Sequence, residues 1–314
     1  MSTYKEYFKQ ANDPIVVFGS MYLGLGLLKF CNDLLNYCSK NEVNRLCFIS
    51  REGGFLKEIF SSFIKNNPPV CELRTIEVIY ISRNSCSSSL FNEYLVQLNL
   101  NEKALLVDIG WGGSIERSIS NKGICCQYFY FGTDIRYLDL YCQNSSFISS
   151  LDKNHLLDLE SGLGFIEFAM TPPSVGTTEG YMNENGKIKP ILSKVMSSNN
   201  QIHEDLIYVL SRFVGSVSPS DVEHLIDSNW TSYWNDIICL KKIQVPTQLK
   251  DIYFDMGAYK VPVVINPFHH PFSFIKFYSK GLWIYGSFNL AHLNIMRFLI
   301  KSIFQLKWKL KYDR

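Results

Sequence analysis

Short apolar segments alternate with amphipathic ones from about residue 20 to residue 130, and this alternation is the strongest constraint on the fold. The pattern predicts strands at 45–50, 75–82, 103–110 and 125–132, and helices at 21–40, 53–65, 88–99 and 114–120. Strands separated by helices are typical of βαβ units, in which neighbouring strands run parallel. The sequence therefore predicts an α/β fold, with a Rossmann-like parallel sheet and helices on both of its faces.

Beyond about residue 140 the alternation stops, and helical patterns dominate. Helices are predicted at 156–170, 201–215, 219–239 and 290–314, and residues 171–190 are predicted to be a loop or a hairpin that turns at Asn185 and Gly186. A chain of 314 residues suits one large domain or two smaller ones. We predict an α/β domain over residues 1–140 and a mainly helical, loop-rich C-terminal region over residues 141–314.

Composition excludes several functional classes. The chain has 46% hydrophobic and 19% charged residues, as globular proteins do. Its net charge of +2 is too small to indicate binding to nucleic acid. None of the nine cysteines lies in a CxxC pair, so no zinc or iron–sulfur site is predicted. We expect buried, inert thiols in a protein of the reducing cytoplasm.

Two segments bear on membrane contact. The uncharged run at 15–28 is shorter than the ~20 residues of a membrane-spanning helix, so it predicts a buried helix or helix pair. The tail at 290–314 interleaves lysines with aromatic and aliphatic residues. Such a helix suits an anionic membrane surface, a groove on a partner or a solvated terminus, and these interpretations stay open.

Three polar loops follow predicted strands, at the sheet edge where open parallel sheets bind ligands. We call them the first loop, "SREGG" at 50–54, the second loop, "SRNS" at 82–85, and the third loop, "DIGWGGS" at 108–114. The sequence predicts the binding site at the edge where these loops meet.

The third loop has a composition suited to phosphate. Its glycines, Gly110, Gly112 and Gly113, let successive backbone N–H groups surround an anion, and Ser114 can cap the following helix or donate to a phosphate oxygen. Asp108 would repel phosphate, so its expected partners are ribose hydroxyls, Mg²⁺ or an acceptor hydroxyl. The alternative is a tight turn with Asp108 as a structural cap.

The first and second loops each contain a Ser-Arg pair. Arg51 and Arg83 carry planar guanidinium groups that match phosphate oxygens, and Glu52 lies beside Arg51. A surface arginine commonly has no specific role, but the repetition at two strand ends favours binding. One arginine is expected to bind a terminal phosphate, while the third loop binds a diphosphate.

Other candidates are less specific. Glu160, Glu167 and Glu179 are either solvated carboxylates or bases, and the histidine pair at 269–270 lacks a third metal ligand. No GxSxG, HExxH or GxxxxGK[ST] motif occurs, which argues against hydrolase-elbow, zincin and P-loop chemistry.

Four segments, in this order, resemble a family from bacterial surface-polysaccharide gene clusters. They are "RLCFISREGGFLKEIF", "VIYISRNS", "ALLVDIGWGGSIERSI" and "FIEFAMTPPSVGTTEGY", which lie within residues 15–190. Members usually carry "FLxRDGxxL", "YxxxSRR" and "VDIGWxGS" blocks, and many have a haloacid-dehalogenase-like phosphatase fused in front. The shared region resembles the glycan phosphoribosyltransferase part of ribofuranosyltransferases.

The resemblance implies an enzyme that moves a 5-phosphoribosyl group from phosphoribosyl diphosphate (PRPP) to a lipid-linked glycan in O-antigen or capsule biosynthesis. On this basis residues 1–140 bind the donor, and residues 141–314 complete the acceptor site. Asp108 and Glu52 are the expected catalytic residues, and Glu167 and Glu179 are expected near the acceptor. The expected donor-binding residues are Ser50, Arg51, Gly53, Ser82, Arg83, Gly110, Trp111, Gly112, Gly113 and Ser114.

The resemblance also implies further partners. Mg²⁺ suits a diphosphate donor on chemical grounds, but the sequence assigns no metal site. No organic cofactor is expected. The sequence contains no "DxDxT" phosphatase block, so either a separate phosphatase is expected to act on the product or the phosphate stays on it. The basic tail fits peripheral contact with the inner membrane. Two departures from the family pattern are Glu52 in place of aspartate and Asn84 in place of the second arginine.

Two rival functions stay open. One is a glycosyltransferase that uses a nucleotide sugar, because the third loop also suits the diphosphate of such a donor. The other is a non-catalytic subunit of polysaccharide assembly.

Overall fold

The computed structural model describes residues 8, 14–69, 72–134, 144–149, 166, 169–172, 174–195 and 201–238. The chain divides into two compact units, Met1–Ser150 with Ala169–Thr231 and Leu151–Phe168 with Ser232–Arg314. Nearly all of the described residues belong to the first unit. The predicted domain division at residue 140 stays a prediction, and the predicted helix at 290–314 lies outside the described residues.

The helices and strands agree closely with the predicted segments. The helices are α1 (Pro14–Lys40), α2 (Glu52–Asn66), α3 (Phe91–Leu98), α4 (Ser114–Ser120), α5 (Gln201–Ser216) and α6 (Pro219–Ile238). The strands are β1 (Arg45–Ile49), β2 (Thr75–Ile79), β3 (Ala104–Trp111), β4 (Gln127–Asp134), β5 (Ser145–Ser149), β6 (Thr178–Glu184) and β7 (Lys187–Leu192). Strand β5 was not predicted, because its sequence SSFIS has only two apolar residues among serines.

Strands β1 to β5 form one parallel sheet in the order β2-β1-β3-β4-β5, which confirms the predicted α/β class. This is the 2-1-3-4-5 order of one common doubly wound fold. Its strand order reverses between β1 and β3, and ligands bind outside the carboxyl ends of the strands at such a point. The first loop follows β1, and the third loop includes the last four residues of β3.

Helices cover both faces of the sheet, because alternate strand side chains point to opposite faces. On one face Phe129 and Phe131 of β4 pack against Phe30 of α1, and Phe48 of β1 packs against Phe60 of α2. Helix α5 packs on α1 and α2 and completes this layer.

On the opposite face, Leu106 of β3 and Tyr130 of β4 belong to one buried cluster with Leu95 of α3 and Ile119 of α4. The uncharged run at 15–28 is part of α1, where Leu23, among others, is completely buried, as predicted. Across the described part of the chain, no helix combines the length and apolarity that crossing a membrane requires.

The hairpin of β6 and β7 confirms the predicted turn. Asn185 and Gly186 have φ values of 53° and 80°, the positive angles that a two-residue hairpin turn requires at both central positions. The hairpin docks on α3, where the Gln97 side-chain amide donates to the Ile188 carbonyl and its oxygen accepts the Ile188 N–H. These two bonds let one side chain of α3 pair with β7 as a neighbouring strand would.

Candidate functional site

The strand order places the three predicted loops next to one another. The first and second loops follow β1 and β2, and the third loop overlaps the last four residues of β3. These three strands are adjacent and parallel, so all of them end at the same edge of the sheet. Arg51 lies between β1 and α2, Arg83 lies beyond β2, and Asp108 lies near the end of β3. The topology therefore brings both arginines and the aspartate to one edge, where Arg51 and Asp108 flank the point at which the strand order reverses and Arg83 lies beyond the neighbouring strand β2.

In the first loop, Arg51 and Glu52 form a largely buried ion pair. Nη2 of Arg51 lies 2.8 Å from Oε1 of Glu52, and the two side chains are only 16% and 9% exposed. The same Glu52 oxygen accepts a hydrogen bond of 2.8 Å from Oγ1 of Thr171. Glu52 was expected to contact ribose or acceptor hydroxyls, but this oxygen instead holds Arg51, because a buried carboxylate needs nearby charge and donors.

The other predicted residues of the first loop, Ser50 and Gly53, have structural roles that involve their backbone atoms. The Ser50 N–H donates to the Ile79 carbonyl at 2.8 Å and links β1 to β2 beyond the last paired residue, and the Ser50–Arg51 peptide bond is cis. A Cβ atom at Gly53 would lie 2.9 Å from the carbonyl carbon of Phe48, whereas one at Gly54 would meet nothing within 4 Å. Close packing of α2 on β1 therefore accounts for Gly53.

The second loop is fastened by its two serines. The Ser82 N–H donates to Oγ of Ser85 at 2.9 Å, and the Ser82 hydroxyl donates to the Thr178 carbonyl of β6. Oγ of Ser85 lies 3.0 Å from Oη of Tyr181, also in β6. The predicted donor-binding hydroxyl of Ser82 is thus used within the protein, and it ties the loop to the hairpin.

Arg83 lies between these serines and is exposed. Within the described ranges it takes part in none of the ion pairs. The two arginines therefore differ, since Arg51 is held by a carboxylate and Arg83 presents its charge to solvent. An exposed guanidinium on a fixed loop suits the binding of a phosphate from solution.

The third loop is shorter than predicted, because β3 continues through Trp111. Gly110 has φ = +102°, and a Cβ atom there would overlap the Gly132 carbonyl oxygen of β4. Gly110 therefore has a packing role in the sheet, and the predicted anion-binding turn is reduced to Gly112 and Gly113.

The start of α4 also differs from the prediction. Gly113, with φ = +58°, is the N-cap residue, and Ser114 is the first helical residue rather than a cap. Among the described residues, no side-chain cap hydrogen bond is made at this N-cap. Gly113 is buried and Gly112 is half-buried, and the capping role predicted for the Ser114 hydroxyl is wrong.

Asp108 is half-buried and lies on the same face of β3 as Leu106, because strand residues alternate. Its Oδ1 accepts a hydrogen bond of 2.8 Å from the Ile109 N–H, which orients the carboxylate. Its partner across the sheet is Tyr130, whose hydroxyl donates to Oε2 of Glu116 at 2.8 Å. The sequence predictions missed Glu116, although it lies within the "SIERSI" segment that carries the resemblance.

The remaining predicted residues are less fully defined. The backbone of Trp111 pairs with Thr133 at the end of β3. Glu179 is exposed on β6, directly after Thr178, whose carbonyl binds the second loop. Glu160 and Glu167 lie outside the described residues. In the ranges that the structure describes, no group of three or more histidine, cysteine, aspartate or glutamate side chains is placed to hold a metal ion.

A short segment at 169–172 links the first loop to α5. Its Thr171 binds Glu52, and its Met170 carbonyl lies 3.2 Å from Nε2 of His203 on α5. Because a carbonyl only accepts, this contact makes Nε2 the protonated nitrogen of His203. Burial lowers the pKa of His203 below its usual value, so the ring is neutral at pH 7.

No protein-family model and no curated protein matches the sequence.

Proposed function

We propose that this chain is a glycosyltransferase that transfers a 5-phosphoribosyl group from PRPP to a glycan acceptor. The observation that carries the proposal is the position of Arg51, Arg83 and Asp108 at the ends of three adjacent parallel strands. Two guanidinium groups and one carboxylate at the carboxyl edge of the sheet, next to the point where the strand order reverses, suit a ligand with both phosphate charge and hydroxyl groups. PRPP has both.

The reaction is substitution at the anomeric carbon of ribose. The bond from C1 to the diphosphate oxygen breaks, the bond from C1 to the acceptor oxygen forms, and the acceptor hydroxyl loses its proton. The transition state resembles an oxocarbenium ion, as in other glycosyl transfers. Arg51, Arg83 and the backbone N–H groups of Gly112 and Gly113 are assigned to the phosphate charge that grows on the leaving group. Asp108 is assigned to the proton or the ribose hydroxyls.

The proposal includes the partners that the resemblance implies. The acceptor is a lipid-linked glycan, and Glu179 and Glu167 are assigned near it. A separate phosphatase acts on the product, and Mg²⁺ accompanies the diphosphate. We place the enzyme in the cytoplasm, with peripheral contact at the inner membrane through the basic tail at 290–314.

Mass spectrometry tests the reaction directly. The purified chain is incubated with PRPP, Mg²⁺ and a lipid-linked glycan extract, and a product heavier by one phosphopentose is expected. Parallel reactions contain a panel of nucleotide sugars in place of PRPP. If a product forms only with a nucleotide sugar, PRPP is not the donor and the alternative glycosyltransferase function is favoured. If no donor gives a product, the non-catalytic subunit is favoured.

A further inference from the structure

Arg51 is held in place by a carboxylate that is itself held by a distant threonine. Oε1 of Glu52 receives both Nη2 of Arg51 and the hydroxyl of Thr171, each at 2.8 Å. Counted over the whole residue, Glu52 and Thr171 are 7% and 6% exposed. Three polar groups therefore meet in a nearly dry environment, where each hydrogen bond restricts its partners more than it would in water.

The geometry limits the conformations of the guanidinium group. An arginine has five N–H donors in a rigid plane, so fixing Nη2 on a carboxylate orients the remaining donors. If the carboxylate loses its second donor, it can rotate, and Arg51 then samples more rotamers. A binding group that is already ordered loses less entropy when it binds a ligand. The position of the Thr171 hydroxyl therefore affects the affinity of Arg51 for an anion.

Thr171 is well placed for this effect because its backbone is fixed. The neighbouring Met170 is completely buried, and its carbonyl is bonded to His203 of α5. The His203 ring packs against Phe55 of α2, with 5.4 Å between the ring centroids. The segment at 169–172 thus bridges α5 to the start of α2, where Arg51 lies.

We infer that Thr171 is a positioning residue for the donor site, acting through Glu52 to orient Arg51. This inference rests on the proposed function, in which Arg51 binds a phosphate of PRPP. Thr171 is 119 residues from Glu52 in the chain, and it lies within the "FIEFAMTPPSVGTTEGY" segment, in which only Glu167 and Glu179 were expected to have a role.

The test compares Thr171→Val, which removes the hydroxyl at nearly constant volume, with Thr171→Ser, which retains it. Thr75→Val is the matched control, because Thr75 is exposed at the amino end of β2, away from the three loops. Two quantities are measured, namely the PRPP dissociation constant by calorimetry with Mg²⁺ and the solvent exchange of the Arg51 Nε–H by NMR. The Arg51 signal is assigned by its loss in Arg51→Lys.

We expect Thr171→Val to bind PRPP about three- to ten-fold more weakly, the usual effect of one hydrogen bond, and to speed exchange of the Arg51 Nε–H. Thr171→Ser and Thr75→Val should match the wild type in both measurements. If the wild type binds PRPP and Thr171→Val binds it equally well, the inference is wrong and the proposed function stands.

A wild type that binds no PRPP would overturn the proposed donor, and the exchange measurement would then decide the positioning role alone. Unchanged exchange in Thr171→Val would exclude that role, and faster exchange would support it. Should Thr171→Val fail to fold, Thr171→Ala removes the same hydroxyl and is compared with Thr171→Ser in the same two measurements; unchanged PRPP affinity and unchanged Arg51 exchange would overturn the inference.

Discussion

The ring of Tyr181 in the hairpin stacks on the ring of Tyr94 in α3, with 4.4 Å between the centroids and 21° between the planes. The hydroxyl groups of this pair reach the same residue, because Tyr181 donates to the Tyr80 carbonyl at 2.9 Å and Tyr94 accepts the Tyr80 N–H at 3.0 Å. Tyr80 directly follows β2 and leads into the second loop. The stacked pair therefore fixes the backbone that leads to Arg83.

Removing the Tyr181 hydroxyl should weaken the fold measurably. We expect Tyr181→Phe to lower the free energy of unfolding by about 1–3 kcal/mol, because the largely buried hydroxyl contacts of Tyr80 and Ser85 are lost. Denaturant unfolding monitored by circular dichroism measures the change. Tyr208→Phe is the control, since Tyr208 is 60% exposed on α5. An equal decrease in the free energy of unfolding of both variants would show that the Tyr181 hydroxyl contacts do not stabilise the fold specifically.

Arg83 should contribute to donor binding without contributing to stability. We expect Arg83→Ala to weaken PRPP binding by ~1.5–3 kcal/mol, the usual contribution of a hydrogen bond to a charged group, while the melting temperature stays within about 1 °C. Arg212→Ala is the matched control. Arg212 lies one turn before Gly215, whose carbonyl binds Asn66 at the far end of α2 from Arg51. Equal affinity in wild type and Arg83→Ala would exclude Arg83 from the site.

The charge of Asp108 should matter for transfer. We expect Asp108→Asn to abolish phosphoribosyl transfer, because an amide cannot accept the acceptor proton. The amide oxygen can still accept the Ile109 N–H, so the melting temperature should stay near that of the wild type. Product formation by mass spectrometry and thermal unfolding are measured on the same samples. A large drop in melting temperature would instead identify a structural carboxylate.

Replacing two glycines near the site with alanine should change the free energy of unfolding in opposite directions. Gly110→Ala should destabilise the chain by at least about 2 kcal/mol, because its φ of +102° is strained for alanine and its Cβ would overlap the Gly132 carbonyl. Gly54→Ala should stabilise it by about 0.5–1 kcal/mol, since Gly54 is in α2 and faces open space. Denaturant unfolding of both variants measures the difference, and similar values would contradict the packing role of Gly110.

Stability should fall as the solution becomes acidic, because His203 is buried in its neutral form. Its pKa is below the usual value in the folded chain, mainly through burial, so the unfolded chain binds the proton more readily. The free energy of unfolding should therefore decrease as pH falls below about 6.5, by at most about 1.4 kcal/mol per pH unit from this residue.

The histidine contribution is isolated by substitution. His203→Gln keeps a donor for the Met170 carbonyl and should reduce the slope of stability against pH between 5 and 7. His224→Gln is the control, because His224 is exposed on α6. The same slope in all three proteins would show that other groups dominate the acid sensitivity.

Local sequence patterns predicted most of the fold. The alternation of apolar and amphipathic segments located four of the five parallel strands and the helices between them, and Asn185 with Gly186 located the hairpin turn. These features depend on residues close together in the chain, because side-chain period and turn geometry are local properties. The same patterns placed Arg51, Arg83 and Asp108 at strand ends.

Contacts between distant parts of the chain decided the rest. One of the two partners of Glu52 is Thr171, which lies far away in sequence. Position 110 requires glycine because the Gly132 carbonyl of the next strand lies against it. No local pattern encodes such pairs, since they exist only after the sheet, α5 and the hairpin have packed. The chain sequence thus specified which groups reach the carboxyl edge of the sheet, while packing specified which of them are held by the protein and which face solvent.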